Sequence, residues 1–599
     1  MRKLVLRNGK IYVERGRFAQ ALYAEDGVIQ AVGTEEEVLT AAGKRDGSGN
    51  GLDGAEIIDL EGRTVIPGIN DSHMHLLNVG MDFATAPITG VSSVDEMVER
   101  VKEFVRQNPE TAKQGIAGKG WNQDLFIGEK RMPGRYDLDR ISTEVPVVLQ
   151  RICGHVAAAN SKAIELLGLD QKMRHVDGGT IETDENGMPT GIFTENAMEL
   201  VNGLIPKYTL EDDKRMFLNA AEYAVAHGIT SVQSNDVGNA FISRDDTFRM
   251  LHEIYDEGLC PLRYRHQACI QSLEEFRECV ENGEFKHGVY KDPKRLALGP
   301  LKLFKDGSLG GRTAAMRKEY QDDPGNRGVE CITKEEMDEF CRLADAAGIQ
   351  VVTHVIGDRA IEDVIESYEK VLHDGKNPLR HALIHCQITD REMMERIAGD
   401  DILICYQPIF LDYDMHVVTD RCGEELSSTS YAFGTAKELG IHVSYGTDSP
   451  VENCNPFPNL YSAVTRRDQK GWPEGGFFPE ERVDIEDAVD AYTIGSAYNE
   501  FAEDFKGRLK PGYLADMAVL DTDIFTCRPE EIRTILPVMT IVDGQIVYRK
   551  TEELRTAAAS KKSRRHILCS AQDVPPYLVY IKGTEKRNVK NAKKNEKRC

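Results

Sequence analysis

Alternating apolar and polar positions mark both ends of the chain. Residues 3–13 (LVLRNGKIYVE) read as two short strands around an Asn8-Gly9 turn, and residues 20–33 repeat the pattern around Asp26-Gly27. Near the far end, residues 514–521 (LADMAVLD) and 539–548 (MTIVDGQIVY) carry the same period, the second turning at Asp543-Gly544. A strand of period 2 hides one face only, so these pieces need a common partner. They predict one small composite β-sandwich built from residues 1–66 and 507–550.

The middle has a different rhythm. Short apolar runs at 65–69, 229–233, 262–267, 299–304, 350–354, 381–385, 401–406 and 441–446 read as strands. Amphipathic stretches such as 334–347 and 359–373 fall between them with helical spacing. Eight strands alternating with helices predict an α/β fold, a (β/α)8 TIM-like barrel over residues 67–506. About 160 residues separate the first two strands, far more than a barrel connection needs. A large insertion after strand 1, about residues 85–215, is therefore expected to have a structure of its own.

Composition narrows the class. Of 599 residues, 41% are hydrophobic and 29% charged, which is ordinary for a globular chain. No apolar run is long enough for a membrane helix, and Arg7 interrupts the run that would make a secretory signal. The net charge of −24 disfavours a nucleic-acid partner. It is unevenly spread: residues 551–599 hold 13 Lys and Arg against 5 Asp and Glu, and read as a solvated, disordered extension or a partner-binding arm. Thirteen scattered cysteines without a CxxC pair fit reduced thiols and a cytoplasmic location. The expected partner is a small molecule, with neither nucleic acid nor membrane, and with a homodimer as the expected assembly.

The strongest chemical signal is residues 65–75, VIPGINDSHMH. His73 and His75 lie two apart at a strand end, so both imidazoles share a face and can share one metal ion. Asp71 has the same parity; it could accept a ring N–H from a ligand or be a ligand itself.

The run PGxxDxHxH resembles the first metal motif of the amidohydrolase superfamily. Further stretches resemble amidohydrolase family 3, the branch that includes N-substituted formamide deformylase-like proteins: GKGWNQ (118–123), GHVAAANSKAI (154–164), PTGIFTENA (189–197), KLFKDGSLGGRTAA (302–315), THVIGDRA (353–360), RHALIHCQ (380–387) and GTDSPVENCNPF (446–457). They occur in the family's order and span about residues 1–550. The resemblance implies a metal-dependent hydrolase of carbon–nitrogen bonds other than peptide bonds, with one or two divalent ions.

The remaining residues can be read both ways. Alternation along 301–306 turns Lys302 inward with Phe304 and Asp306, and Lys305 outward. A buried amine loses its proton more readily and can take up carbon dioxide as a carbamate bridging two metals. The resemblance supports that role; a plain buried ion pair with Asp306 is the alternative. His354 and His385 each close an apolar strand and precede loop-like sequence, at the barrel face where active sites collect. The family usually has Glu before the second of these, where Ile384 stands here; its parity places it off the metal face. Asp448, in GTDSP, is an ordinary turn residue or the superfamily's general base and acid. The metal set is thus His73, His75, Lys302, His354, His385 and Asp448. His155, Asn160, Glu195, Gln123, Ser308 and Arg312 lie in matching motifs without metal spacing. His155, Arg312, Gln123, Trp121 and Glu195 are the candidate substrate contacts, and His385 or His155 could hold an oxyanion. Zinc is favoured because imidazole-rich sites suit it. The expected reaction is hydrolysis of an amide-type C–N bond. Deamination, cyclic-imide opening and isomerisation could use the same site, and a non-catalytic scaffold on this fold would be expected to lack the ligands.

Overall fold

The computed structural model describes residues 2–44, 54–109, 111–113, 115–151, 156–170, 175–176, 179–205, 208–238, 242–285 and 291–550. The basic tail 551–599 and His155 lie outside the described residues. Two compact units emerge, one from residues 2–81 and 208–550, the other from 82–205.

In the larger unit eight parallel strands stand side by side: Ile69–Met74, Ile229–Ser234, Arg263–Cys269, Leu296–Phe304, Val351–Val355, Ala382–His385, Leu403–Tyr406 and Val443–Tyr445. Main-chain bonds just past the eighth strand join it to the first. The Asp448 N–H donates to His73 O and the His75 N–H to Ser449 O, both at 2.8 Å. The result is a (β/α)8 barrel. Its helices form where capping and amphipathicity agree. Helix Lys334–Ala346 starts at Thr333, which exchanges side-chain and backbone bonds with Glu336, and buries Met337, Phe340, Cys341 and Ala344 along one stripe. The next helix, Asp358–Glu369, stops short of the predicted residue 373. There His373 and Lys376 trade backbone bonds in a turn around Asp374-Gly375.

The predicted first barrel strand, 65–69, needs correction. Thr64–Pro67 belongs to the sandwich, pairing with Lys10–Glu14 on one side and Met517–Leu520 on the other. The barrel strand starts only at Ile69. Gly68 makes the crossing: a Cβ there would fall 2.1 Å from Thr230 Oγ1, so only glycine lets the chain pass the second strand this closely.

The sandwich has a six-stranded sheet ordered Gln545–Arg549, Pro537–Val542, Met517–Leu520, Thr64–Pro67, Lys10–Glu14 and Arg17–Ala19. Its four-stranded sheet runs Val28–Gly33, Ala21–Glu25, Lys3–Arg7 and Ala55–Asp59. Leu4, Leu6, Ile11, Leu22, Val65, Met517, Val519 and Ile541 are buried together, so both ends of the chain contribute to one core.

The chain from Ser496 to Lys506 seals the N-terminal end of the barrel. Asn70 Nδ2 donates to Glu500 Oε1 (2.6 Å), Gln233 Nε2 to Ser496 O (2.9 Å), Lys506 Nζ to Ser231 Oγ (2.6 Å) and Gln350 Nε2 to Asn499 O (3.0 Å). These contacts identify Ser231 and Gln233 as inward-facing positions of the second strand.

The second unit carries its own six-stranded mixed sheet, ordered Gly179–Thr183, Pro189–Glu195, Val156–Ala159, Val147–Arg151, Ile116–Trp121 and Ala86–Pro87. Helix Val94–Gln107 packs Val98 and Val101 into a core with Trp121 and Leu149. Among the described residues no helix is long and apolar enough to cross a membrane.

Candidate metal centre

The C-terminal ends of strands 1, 4, 5, 6 and 8 place His73, His75, Lys302, His354, His385 and Asp448 at one mouth of the barrel. His73, His75 and Asp448 offer ligand atoms that all lie within 4.8 Å of one another, and all three are buried. His75 Nε2 is 3.1 Å and His73 Nε2 3.4 Å from Asp448 Oδ1, while His385 Nε2 is 3.9 Å from Oδ2. The rings follow one another, His75 to His73 at 5.4 Å, His73 to His385 at 5.9 Å and His385 to His354 at 4.6 Å between centroids.

The imidazoles are oriented by what their ring nitrogens meet, and both nitrogens of His75 are engaged. His73 Nδ1 lies 2.6 Å from Gln267 Oε1, and Gln267 is itself tied to Ser72 O by its Nε2 at 2.9 Å. His75 Nδ1 meets Asn235 O at 3.0 Å. A carbonyl oxygen only accepts, so His75 carries a proton on Nδ1, while its Nε2 meets Asp448 Oδ1 at 3.1 Å. His354 is the reverse: Nε2 meets Gly307 O at 3.0 Å, which leaves Nδ1 bare. Among the described residues His385 Nδ1 has no hydrogen-bond partner, and the Phe410 ring stacks on that imidazole at 5.5 Å. Neutral imidazoles with one nitrogen anchored on a carbonyl or amide are the form in which histidine binds divalent metals.

Burial alone would lower His75, but the Asp448 carboxylate outweighs it and raises that imidazole above its ordinary value, whereas burial favours the neutral form of the other three. It lowers His73 to about 3 and His354 to about 4, and drives His385 well below its ordinary value. Burial also lowers Lys302 to about 8. No carboxylate among the described residues pairs with Lys302. Its Nζ bonds Leu303 O at 3.2 Å and sits 3.7 Å over the Phe304 ring. Asp306, the alternative partner, accepts instead from the backbone N–H groups of Ala315, Ile356 and Gly357. Lys305 does not point to solvent either; it is buried and pairs with Glu330 and Asp363 at 3.2 and 3.1 Å. Burial alone would raise Asp448, but His73, His75 and His385 outweigh it and hold the carboxylate below its usual range. His385 and Asp448 have φ of +70° and +54°, left-handed conformations that cost of order 1 kcal/mol or more and persist where surroundings fix them. The donor set therefore suits a divalent cation: buried, imidazole-rich, with one carboxylate.

Asp71 is neither a ligand nor the acceptor of a ring N–H. Its carboxylate takes the Thr447 hydroxyl (2.6 Å) and backbone N–H (3.1 Å), and so buttons strand 8 to strand 1. The substrate candidates divide between the two units, Arg312 and Ser308 in the larger and Trp121, Gln123, Asn160 and Glu195 in the second. Arg312 is committed to Asp322 at 2.7 and 3.1 Å. Ser308 Oγ accepts from Gly311 N–H in the same loop. Trp121 lies in the core of the second unit, its Nε1 donating to Leu149 O at 2.9 Å. That makes it a packing residue and not part of a pocket wall, since its ring has no exposed surface to offer. Gln123 Oε1 accepts from Arg151 Nε at 2.9 Å. Asn160 is fully buried and caps helix Ser161–Leu167 while bonding Ser142 O and Val145 O. Glu195 ends its strand on the surface. Gln267, Asn235 and Phe410 went unnoticed in the sequence. Gln267 shares inward parity with Arg265, but parity alone does not say which histidine it would meet.

A family model described as the amidohydrolase family matches residues 56–548. YtcJ of Bacillus subtilis (strain 168) is 32% identical over 551 residues, covering 92% of this chain and 100% of its own. The N-substituted formamide deformylase of Arthrobacter pascens is 25% identical, covering 92% and 99%. A crystal structure described as an uncharacterized metal-dependent hydrolase from Pyrococcus furiosus superposes with a TM-score of 0.70 at 30% identity, covering 88% of this chain and 100% of that one.

Proposed function

The chain belongs to the amidohydrolase family and is a metal-dependent hydrolase, and from that premise we propose that it hydrolyses an amide-type C–N bond of a small molecule, with Asp448 as general base and acid. The observation that carries the reading is the convergence of four imidazoles and one ionised carboxylate at the barrel mouth.

A bound divalent cation, zinc by the chemistry of the donors, would supply Lewis acidity toward the scissile carbonyl and a water of lowered pKa. His73 and His75 would hold it through Nε2, with Gln267 and the Asn235 carbonyl fixing the rings. His354 and His385 would contribute from strands 5 and 6. The Lys302 amine, uncharged above about pH 8, would add carbon dioxide and release a proton, giving an anionic carbamate facing the same space. Asp448 is ionised and within reach of these rings, so it takes a proton from water at the mouth and returns it to the departing nitrogen. That return makes C–N cleavage favourable, because an amide nitrogen leaves as an amine and not as its anion.

The test is a hydrolysis screen of N-formyl, N-acyl, N-carbamoyl and cyclic amides, with metal analysis on the same sample. Release of amine or acid by protein holding one or two ions is expected. Metal-free protein, or a product of deamination or isomerisation with no hydrolysis, would overturn the reading.

A further inference from the structure

The third barrel strand, Arg263–Cys269, carries none of the metal-ligand candidates, yet it sends one side chain to the centre. Gln267 is completely buried, and its carboxamide is engaged at both ends. Nε2 donates to Ser72 O at 2.9 Å, and Oε1 lies 2.6 Å from His73 Nδ1. One carboxamide thus grips the backbone of Ser72 and the ring of the next residue, His73, on the first strand.

The first bond decides the second. A main-chain carbonyl only accepts, so the Gln267 amide cannot turn over: its NH2 faces Ser72 and its oxygen faces His73. An oxygen 2.6 Å from a ring nitrogen needs a proton between them, because two lone pairs at that distance repel. His73 therefore carries its proton on Nδ1, and in the neutral ring the lone pair lies on Nε2. That lone pair faces a second acceptor, Asp448 Oδ1, at 3.4 Å. Two acceptors facing each other in a buried place suit a cation between them. His75 and His354 are oriented by main-chain carbonyls, Asn235 O and Gly307 O. At Gln267 a replaceable side chain controls how a ligand is presented.

We propose that Gln267 is a positioning residue of the metal centre: held by Ser72 O, it locks the His73 proton on Nδ1, presents Nε2 to the divalent cation, and so sets how tightly the ion is held. It acts through the His73 ring. The inference rests on the metal-dependent part of the proposed function and is independent of which bond is cleaved.

The experiment uses the full-length protein, stripped of metal and titrated with zinc against a chromophoric chelator of known affinity. Gln267→Met keeps the length of the side chain but replaces the strong acceptor by a weak one. Zinc affinity should fall about 10- to 100-fold, the usual effect of losing such a support. Gln267→Glu, ionised or protonated, keeps an oxygen toward Nδ1 and should hold zinc at least as tightly as the original chain. A purely structural role predicts the opposite order, because methionine packs well in a buried place while glutamate brings a carboxyl group into it. Should the methionine variant fail to fold, Gln267→Leu takes its place with the same expectation. Methionine matching the original chain, equal losses in both variants, glutamate holding zinc more weakly than methionine, or no zinc binding by the original chain overturns the proposal. Failure of the amide-hydrolysis reading is scored separately: it appears as absence of turnover across the amide panel by the zinc-loaded original chain, whatever the order of affinities.

Discussion

The two ends of the barrel bury polar groups to opposite effect. At the floor most buried charges meet a complement, Arg265 being an exception with only the Glu500 carbonyl as hydrogen-bond partner among the described residues. Arg263 Nε bonds Asp516 Oδ2 at 2.6 Å and its Nη2 reaches Asp543, Lys506 pairs with Glu500, and Arg380 pairs with Glu503 at 2.6 Å. Where the floor leaves an amide atom unpaired, as in Asn70 and Gln350, the other end of the same side chain is bonded. At the mouth, among the described residues, Lys302 meets no carboxylate, His385 Nδ1 meets no hydrogen-bond partner, and neither end of the Asn235 carboxamide is paired. The same eight strands thus carry a closed electrostatic ledger at one end and an open one at the other. Paired burial holds a fold together, and unpaired burial is a stored demand for a ligand.

This contrast can be broken by substitution. The largest effect is expected from Asp448→Asn, which keeps the shape but cannot accept a proton. Turnover should fall by about 100- to 10,000-fold, with metal content unchanged by elemental analysis. His73→Ala should instead lower metal content. Equal metal loss in both variants would make Asp448 chiefly a ligand and blur the contrast.

At the floor the expected loss is in stability and not in chemistry. Arg263→Leu leaves Asp516 buried without its cation and should cost about 3–5 kcal/mol in denaturant unfolding, while kcat per folded molecule holds. Burial alone would raise Asp516, but Arg263 outweighs it and keeps its folded-state pKa below the ordinary 3.8. Its contribution is therefore complete above about pH 4 and is lost as pH falls through the depressed folded value. Asp516→Asn should flatten that part of the acid-unfolding curve. An unchanged curve would mean that other carboxylates dominate.

Lys302→Met tests the open end without touching a charge pair. Bicarbonate should speed metal reloading of the original chain and do nothing for the variant, read as ions bound per chain over time. Equal reloading would remove the carbamate from the mouth. The smallest effect is expected in the second unit. Trp121→Phe loses the bond to Leu149 O and some volume, about 1–2 kcal/mol, and should leave kcat/KM unchanged. A selective rise in KM would return Trp121 to the substrate candidates.

Much of the barrel was legible because its strands and helices have different apolar periods. Runs such as 402–405 needed no tertiary information, since they are apolar enough to be buried on both sides. The start of the first barrel strand was not legible. Residues 64–74 are buried almost without a break, so periodicity cannot say where one sheet ends and the next begins. The close approach of Gly68 to Thr230 decides it. Asp71 was misread for a related reason. Its parity matches that of the histidines, but its partner, Thr447, is 376 residues away in sequence.

By itself the sequence determined the elements, the barrel, the shared face of His73 and His75, and the placing of His354, His385 and Asp448 at strand ends. All of these follow from local period and from turn chemistry, which act over a few residues. Only the tertiary structure decided which group each imidazole nitrogen meets, that Lys302 meets no anion among the described residues while Lys305 meets two, and that Trp121 is core. Each of those depends on which group from a distant strand arrives within about 3 Å, the range over which a hydrogen bond forms or fails. A linear pattern carries parity and burial but no such distance.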